Sequence, residues 1–171
     1  MGLMRKLMMG CASDGVRTLV NTTDQHPSPV LMKTPITLTV GASYSVSWAG
    51  TIPSSNDNPY YLFNILGGPA NTRMCYAKIF KGGSRSKLSI ELLGTSLYDT
   101  TVHVGDSIAL ELRFKVNAVS TSSPYYTMYV ELYVNGTQKI SRTSPGEVNA
   151  GAAGLHHYSN AAGTFIIKKL S

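Results

Sequence analysis

Between Ser107 and Val116 apolar and polar residues alternate without a break. Ile108, Leu110, Leu112, Phe114 and Val116 fall on one face, and Ser107, Ala109, Glu111, Arg113 and Lys115 on the other. A period of two marks a strand with one dry face and one wet face. The same pattern sets Met128, Val130, Leu132 and Val134 against Thr127, Tyr129, Glu131 and Tyr133. It also sets Tyr44, Val46 and Trp48 against Ser43, Ser45 and Ser47, and Ile36, Leu38 and Val40 against Thr37 and Thr39. Leu88, Ile90 and Leu92 repeat it on a shorter segment. Tyr60 to Leu66 is an apolar run, as expected of a strand buried on both faces. Further strands are predicted over Arg73 to Phe80, Thr137 to Arg142 and Gly163 to Leu170.

The breaks between these segments carry turn chemistry. Gly41-Ala42, Gly67-Gly68-Pro69 and Gly82-Gly83 end runs, and Pro53-Ser-Ser-Asn-Asp-Asn-Pro59 has loop composition. Asn135-Gly136 predicts a two-residue hairpin, because a type I′ turn needs positive φ at both central positions. No helix longer than a turn is predicted, so parallel crossovers have nothing to build them and the sheets must be mainly antiparallel. Eight to ten short strands with turns at this spacing predict an all-β fold, an antiparallel β-sandwich of jelly-roll type.

Two segments break the alternation. Residues 1–34 are expected to form an irregular N-terminal arm, with the sandwich occupying 35–171. The arm holds Met1, Met4, Met8, Met9 and Met32 and the turn-rich run Asn21-Thr-Thr-Asp-Gln-His-Pro-Ser-Pro29. Methionine suits adaptable contacts, so the arm is expected to lie across the sandwich or across a neighbouring subunit, with Met4, Leu7, Met8 and Met9 as candidate anchors. Residues 144–163, rich in Gly and Ala, are expected to be a long loop. Leu155, His156 and His157 within it are further candidate subunit contacts.

Composition narrows the function classes. Charged residues are only 14% of the 171 residues, below the roughly 25% of typical domains, while hydrophobic residues reach 43%. One domain with a substantial core is expected. No apolar run approaches the length of a membrane helix, and Leu7 to Met9 is too short for a signal peptide, so no membrane insertion and no targeting signal are expected. The net charge of +6 is consistent with an acidic partner or with plain solubility charge. With two cysteines, Cys11 and Cys75, one disulfide is possible but a disulfide framework is not; both read as free thiols, Cys75 in a strand-like run.

The search for chemistry yields little. The four histidines form no zinc-protease motif, and no nucleophile elbow or phosphate loop is present. No cofactor, metal or catalytic residue is expected, and the chain is read as non-enzymatic. Glu91, Glu111 and Glu131 sit on polar strand faces, where two could meet as a glycosidase pair, but a solvated face paired with Arg113 or Lys115 is the simpler expectation. Arg73, Lys78, Lys81, Arg85 and Lys87, with Tyr76 and Phe80 between them, form a candidate basic patch for an acidic glycan or nucleic acid, though charge protecting a hairpin edge also accounts for them. Tyr125, Tyr129 and Tyr133 form a candidate aromatic face for glycan or protein.

Three stretches resemble known families. Val104-Gly-Asp-Ser-Ile-Ala-Leu-Glu-Leu112 resembles the Gly-Asp lead-in to a central strand of trimeric TNF/C1q-like jelly rolls. Tyr129-Val-Glu-Leu-Tyr-Val-Asn-Gly-Thr137 resembles the strand-turn of concanavalin- and laminin-G-like sandwiches. Ala162-Gly-Thr-Phe-Ile-Ile-Lys-Lys-Leu-Ser171 is similar to the closing strand of phage fibre heads and virion surface proteins. The resemblance implies a viral structural protein located on the virion: a capsid decoration, spike or fibre head active in host attachment. Its expected partners are itself, as a homotrimer, other virion proteins and a cell-surface glycan, with nucleic acid ranked behind. The arm departs from a genome-packaging coat, since it carries only Arg5, Lys6, Arg17 and Lys33 against Asp14 and Asp24. A lectin-like carbohydrate-binding sandwich is the alternative.

Overall fold

A computed structural model describes residues 17–21, 30–31, 39–52, 60–67, 72–82, 85–92, 95–119, 125–144, 148–149, 155–159 and 162–171. The described residues form strands β1 (Arg17–Asn21), β2 (Val30–Leu31), β3 (Ser43–Thr51), β4 (Tyr60–Gly67), β5 (Thr72–Gly82), β6 (Arg85–Leu92) and β7 (Thr95–Val102). They continue with β8 (Ser107–Val119), β9 (Tyr125–Val134), β10 (Thr137–Thr143), β11 (Val148–Asn149), β12 (Leu155–Ser159) and β13 (Gly163–Lys169). No helix occurs among them. Sheet A has the order β1-β13-β3-β8-β9-β10, with β11 pairing β9, and sheet B the order β2-β12-β4-β5-β6-β7. The ladders are antiparallel. This is the all-β, antiparallel, jelly-roll-like sandwich that the alternation predicts.

The dry face of each strand becomes the inside of the sandwich. Tyr44, Val46, Trp48, Leu110, Leu112, Phe114, Val130, Leu132, Phe165 and Ile167 of sheet A join Leu62, Ala77, Leu88, Ile90, Leu92, Leu97 and Val102 of sheet B in one buried cluster. Each fully buried side chain of this size contributes about 1.5–3 kcal/mol relative to exposure. Tyr44 stacks on Phe114 with ring centroids 5.5 Å apart and accepts a hydrogen bond from the Thr39 amide at 2.8 Å. The Trp48 indole lies between two glycines, Gly50 and Gly163, where any Cβ would stand 2.6 Å from an indole atom.

Several elements differ in detail from the alternation. The segment read as an irregular arm supplies two short edge strands, β1 on sheet A and β2 on sheet B. The Gly/Ala-rich stretch is not one loop, because β12 pairs with β4 and β2 inside it. Strand β7 has no clean period of two, for a local reason. Ile90 pairs with Tyr98 and Glu91 with Ser96, so Leu97 is a bulged residue. The bulge turns Leu97 inward out of phase with Val102. The strand expected from Ile36 to Val40 falls mostly outside the described residues, and Thr39, Val40 and Gly41 lead into a turn.

Candidate functional site

The wet face of sheet A carries the densest polar network among the described residues. Its register is set by one turn. Asn135 (φ 49°) and Gly136 (φ 76°) close the β9–β10 hairpin in the left-handed region. Asn135 also ties β9 to β8: its amide donates to the Ala109 carbonyl at 2.8 Å, and its Oδ1 accepts from the Ala109 amide at 2.8 Å. With that end fixed, Glu111 lies opposite Tyr133, Arg113 opposite Glu131, and Lys115 opposite Tyr129. Strand β3 adds Ser47, Ser45 and Ser43 across from Glu111, Arg113 and Lys115, and β13 places Lys168 beside Ser45.

The side chains then knit together. Ser45 Oγ donates to Glu111 Oε1 at 2.6 Å, and Arg113 Nη2 donates to Glu111 Oε2 at 3.0 Å. The Arg113 guanidinium stacks over the Tyr133 ring, 4.5 Å from its centroid. Tyr133 donates its hydroxyl proton to Glu131 Oε2 at 3.2 Å, and Gln138 Nε2 donates to Glu131 Oε1 at 3.4 Å. Tyr129 and Ser141 share a hydroxyl–hydroxyl hydrogen bond.

These contacts shift the acids and bases in opposite directions. The Arg113 guanidinium holds the Glu111 carboxyl below the usual carboxylate range, with Ser45 assisting against the opposing effect of burial. Glu111 in turn raises Arg113. Loss of solvation, and then the neighbouring Glu131 carboxylate, push the Tyr133 phenol up. Arg113 Nε is covered by protein and finds no acceptor, a situation that costs about 1–3 kcal/mol.

The network borders a groove of about 380 Å³, lined by Arg113, Lys115, Tyr129 and Glu131 together with Ser43, Phe114, Leu170 and Ser171. Tyr129 is 40% exposed there, a large ring presented to solvent. A second cleft of about 490 Å³ lies at the sandwich edge between β7 and the β9–β10 hairpin. It is larger, and Tyr98, Asp106, Asn135 and Lys139 are among the residues that line it.

The residues singled out in the sequence divide accordingly. Tyr129, Tyr133, Glu111 and Glu131 meet on this face, and Tyr125 begins the same strand. Ser45, Arg113, Lys115, Gln138 and Lys168 belong to the face as well. Shared polar parity on β3, β8 and β13 was the signal that could have found Ser45 and Lys168. Arg73, Lys78, Lys81, Arg85 and Lys87 are carried by the β5–β6 hairpin of the other sheet, where Lys87 is paired with Asp99 at 3.0 Å. That contact, after a hydrogen bond from Ser89, lowers Asp99, while burial and then Asp99 raise Glu91. Leu155, His156 and His157 lie on β12, opposite Gly67, Leu66 and Ile65. Met4, Leu7, Met8 and Met9 lie outside the described residues.

No family model matches this chain, and no curated protein matches its sequence. Solved structures do match in fold. The Caenorhabditis elegans galectin LEC-6 aligns over 90% of this chain and 96% of its own, at 12% identity and a TM-score of 0.47. Sheep galectin-11 aligns over 84% and 98%, at 14% identity and a TM-score of 0.38. An alginate lyase from Alteromonas sp. 272 aligns over 90% and 69%, at 8% identity and a TM-score of 0.46. At these identities the similarity is one of fold. It corrects one expectation: a non-enzymatic chain cannot be inferred, because proteins of this architecture include lyases as well as galectins. The virion, trimer and host-attachment expectations find no counterpart among these structures.

Proposed function

We propose that the outer face of sheet A binds carbohydrate, with Tyr129 as the stacking platform and Arg113, Lys115 and Glu131 as the polar contacts around it. The observation that carries this reading is the groove itself. An exposed tyrosine ring, a guanidinium, an ammonium and a carboxylate line about 380 Å³ of open space on a rigid sheet. Sugars offer an apolar ring face bordered by hydroxyls, so an aromatic surface ringed by donors and acceptors suits them. Sites built on strands hold their geometry better than sites on loops. The galectin fold similarity agrees with the reading but does not bear its weight.

A glycan array read with the wild-type chain and with Tyr129→Ala tests the proposal. Retention on at least one class of sugar is expected, with about thirtyfold weaker binding for Tyr129→Ala, as for loss of an aromatic anchor worth about 2 kcal/mol. Tyr129→Ala should keep a cooperative thermal transition with a modestly lowered midpoint, because the ring is partly exposed and gives up only its bond to Ser141. No retained glycan, or binding that ignores Tyr129, overturns the proposal. Incubating any retained polysaccharide with the protein, followed by sizing of the polymer, decides whether binding leads to cleavage.

A further inference from the structure

Resting on that carbohydrate reading, we infer that the sugar this groove accepts is anionic, its acidic group lying between Arg113 and Lys115 while its ring covers Tyr129. The argument is an inventory of donors and acceptors. Each side-chain oxygen of Glu111 and Glu131 already accepts a hydrogen bond from the face itself. Glu111 Oε1 and Oε2 accept from Ser45 and Arg113, and Glu131 Oε2 and Oε1 accept from Tyr133 and Gln138. The donors are not used up. Lys115 and Lys168 have no acid within ion-pair distance among the described residues.

The surplus is also polarised along the strands. The cross-strand row Ser47, Glu111, Tyr133 contains an acid and no cation. The row Ser43, Lys115, Tyr129 contains a cation and no acid, and all three line the groove beside the Arg113–Glu131 pair of the next row. Lys168 adds a second ammonium next to Ser45, near enough to help hold Glu111 ionised. A neutral sugar brings hydroxyls that want acceptors as well as donors. A carboxylate or sulfate only accepts, and so matches what this row has to offer.

The chain's net charge of +6 points the same way, but location matters more than total. On the β5–β6 hairpin, where the sequence shows its densest run of basic residues, Lys87 is already neutralised by Asp99 at 3.0 Å. In the groove, Lys115 is an ammonium with no ion-pair partner among the described residues, and it stands opposite the exposed Tyr129.

Titration calorimetry with four polymers tests the inference: polygalacturonate, its methyl ester, chondroitin sulfate and a neutral galactan. Polygalacturonate or chondroitin sulfate should bind, and the methyl ester and galactan should bind at least tenfold more weakly. Lys115→Gln should weaken the anionic polymer about tenfold, as for one charge-assisted hydrogen bond. Lys87→Gln, on the opposite sheet, should change nothing. Raising salt should weaken the interaction. If galactan or the methyl ester binds as tightly, the anionic assignment falls while the carbohydrate reading stands. If none of the four binds and the array is also empty, both fall. Equal losses in Lys115→Gln and Lys87→Gln place the charge effect elsewhere and overturn the site. A single-stranded oligonucleotide bound as tightly as the acidic polymers overturns the sugar.

Discussion

Replacing Glu111 by alanine should destabilise the protein by about 2–3 kcal/mol at neutral pH, and most of that penalty should come from a serine. Ser45 is 1% exposed and donates to Glu111 at 2.6 Å. Without its acceptor, a buried hydroxyl is left unsatisfied at a cost of about 1–3 kcal/mol. The Arg113 ion pair at 3.0 Å adds less, because Arg113 is 44% exposed and such pairs contribute about 0–1 kcal/mol. The pH dependence follows from the direction in which Glu111 is shifted. Its carboxyl is lowered in the folded state, chiefly by Arg113. Its ionisation therefore stabilises the fold fully above the unfolded value of about 4.3, and that contribution is lost as pH falls through the lower folded value. Urea denaturation followed by the fluorescence of Trp48, the protein's one tryptophan and 1% exposed, reads the effect directly. The gap between wild type and Glu111→Ala should be widest at pH 7 and narrower at about pH 2.5, because the carboxylate gives up its charge as pH falls through its lowered folded value. Glu111→Gln keeps an acceptor for Ser45 and should lose under about 1 kcal/mol. An equal gap at both pH values, or a glutamine variant as damaged as the alanine, refutes the account.

Two core predictions test the packing behind this face. Gly163→Ala puts a Cβ 2.6 Å from Trp48 Nε1 and 2.7 Å from the Ala49 carbonyl oxygen, so it should cost about 1–3 kcal/mol and shift the Trp48 emission; an unchanged thermal midpoint would refute the close approach. Tyr44→Phe keeps the stack on Phe114 and deletes the acceptor of the Thr39 amide, so it should cost about 1 kcal/mol in urea titration, well short of the loss for Tyr44→Ala.

How much of the fold can be read from sequence depends on whether a strand has one wet face. Strands β3, β8 and β9 do, and their inward residues Tyr44, Leu112 and Val130 are those the alternation names. Strand β7 has a wet face too, yet the bulge at Leu97 breaks the phase and hides the period. Strand β12 escapes for a different reason. Leu155-His-His-Tyr-Ser159 has no alternation of its own and is a strand because β4 and β2 lie on either side of it, a relation between residues about ninety positions or more apart. Strand β1 likewise owes its form to β13.

The site follows the same logic one level up. Parity tells that Glu111, Arg113, Tyr129, Glu131 and Tyr133 share a wet face, but not which of them touch. A register slip of one residue on β9 would send Tyr129 and Glu131 into the core in place of Val130. A slip of two would keep every residue on its face and still break the site, by pairing Lys115 with Glu131. The slip of two is therefore the informative error, invisible to hydrophobicity and decided by local chemistry alone. Asn135 decides it. Its left-handed backbone closes the hairpin, and its side chain and amide clasp Ala109, so the strand can start from only one position. From that clasp the register runs to Lys115 opposite Tyr129, six pairs down the ladder. The free ammonium beside the exposed ring is thus a consequence of a turn at the far end of the sheet.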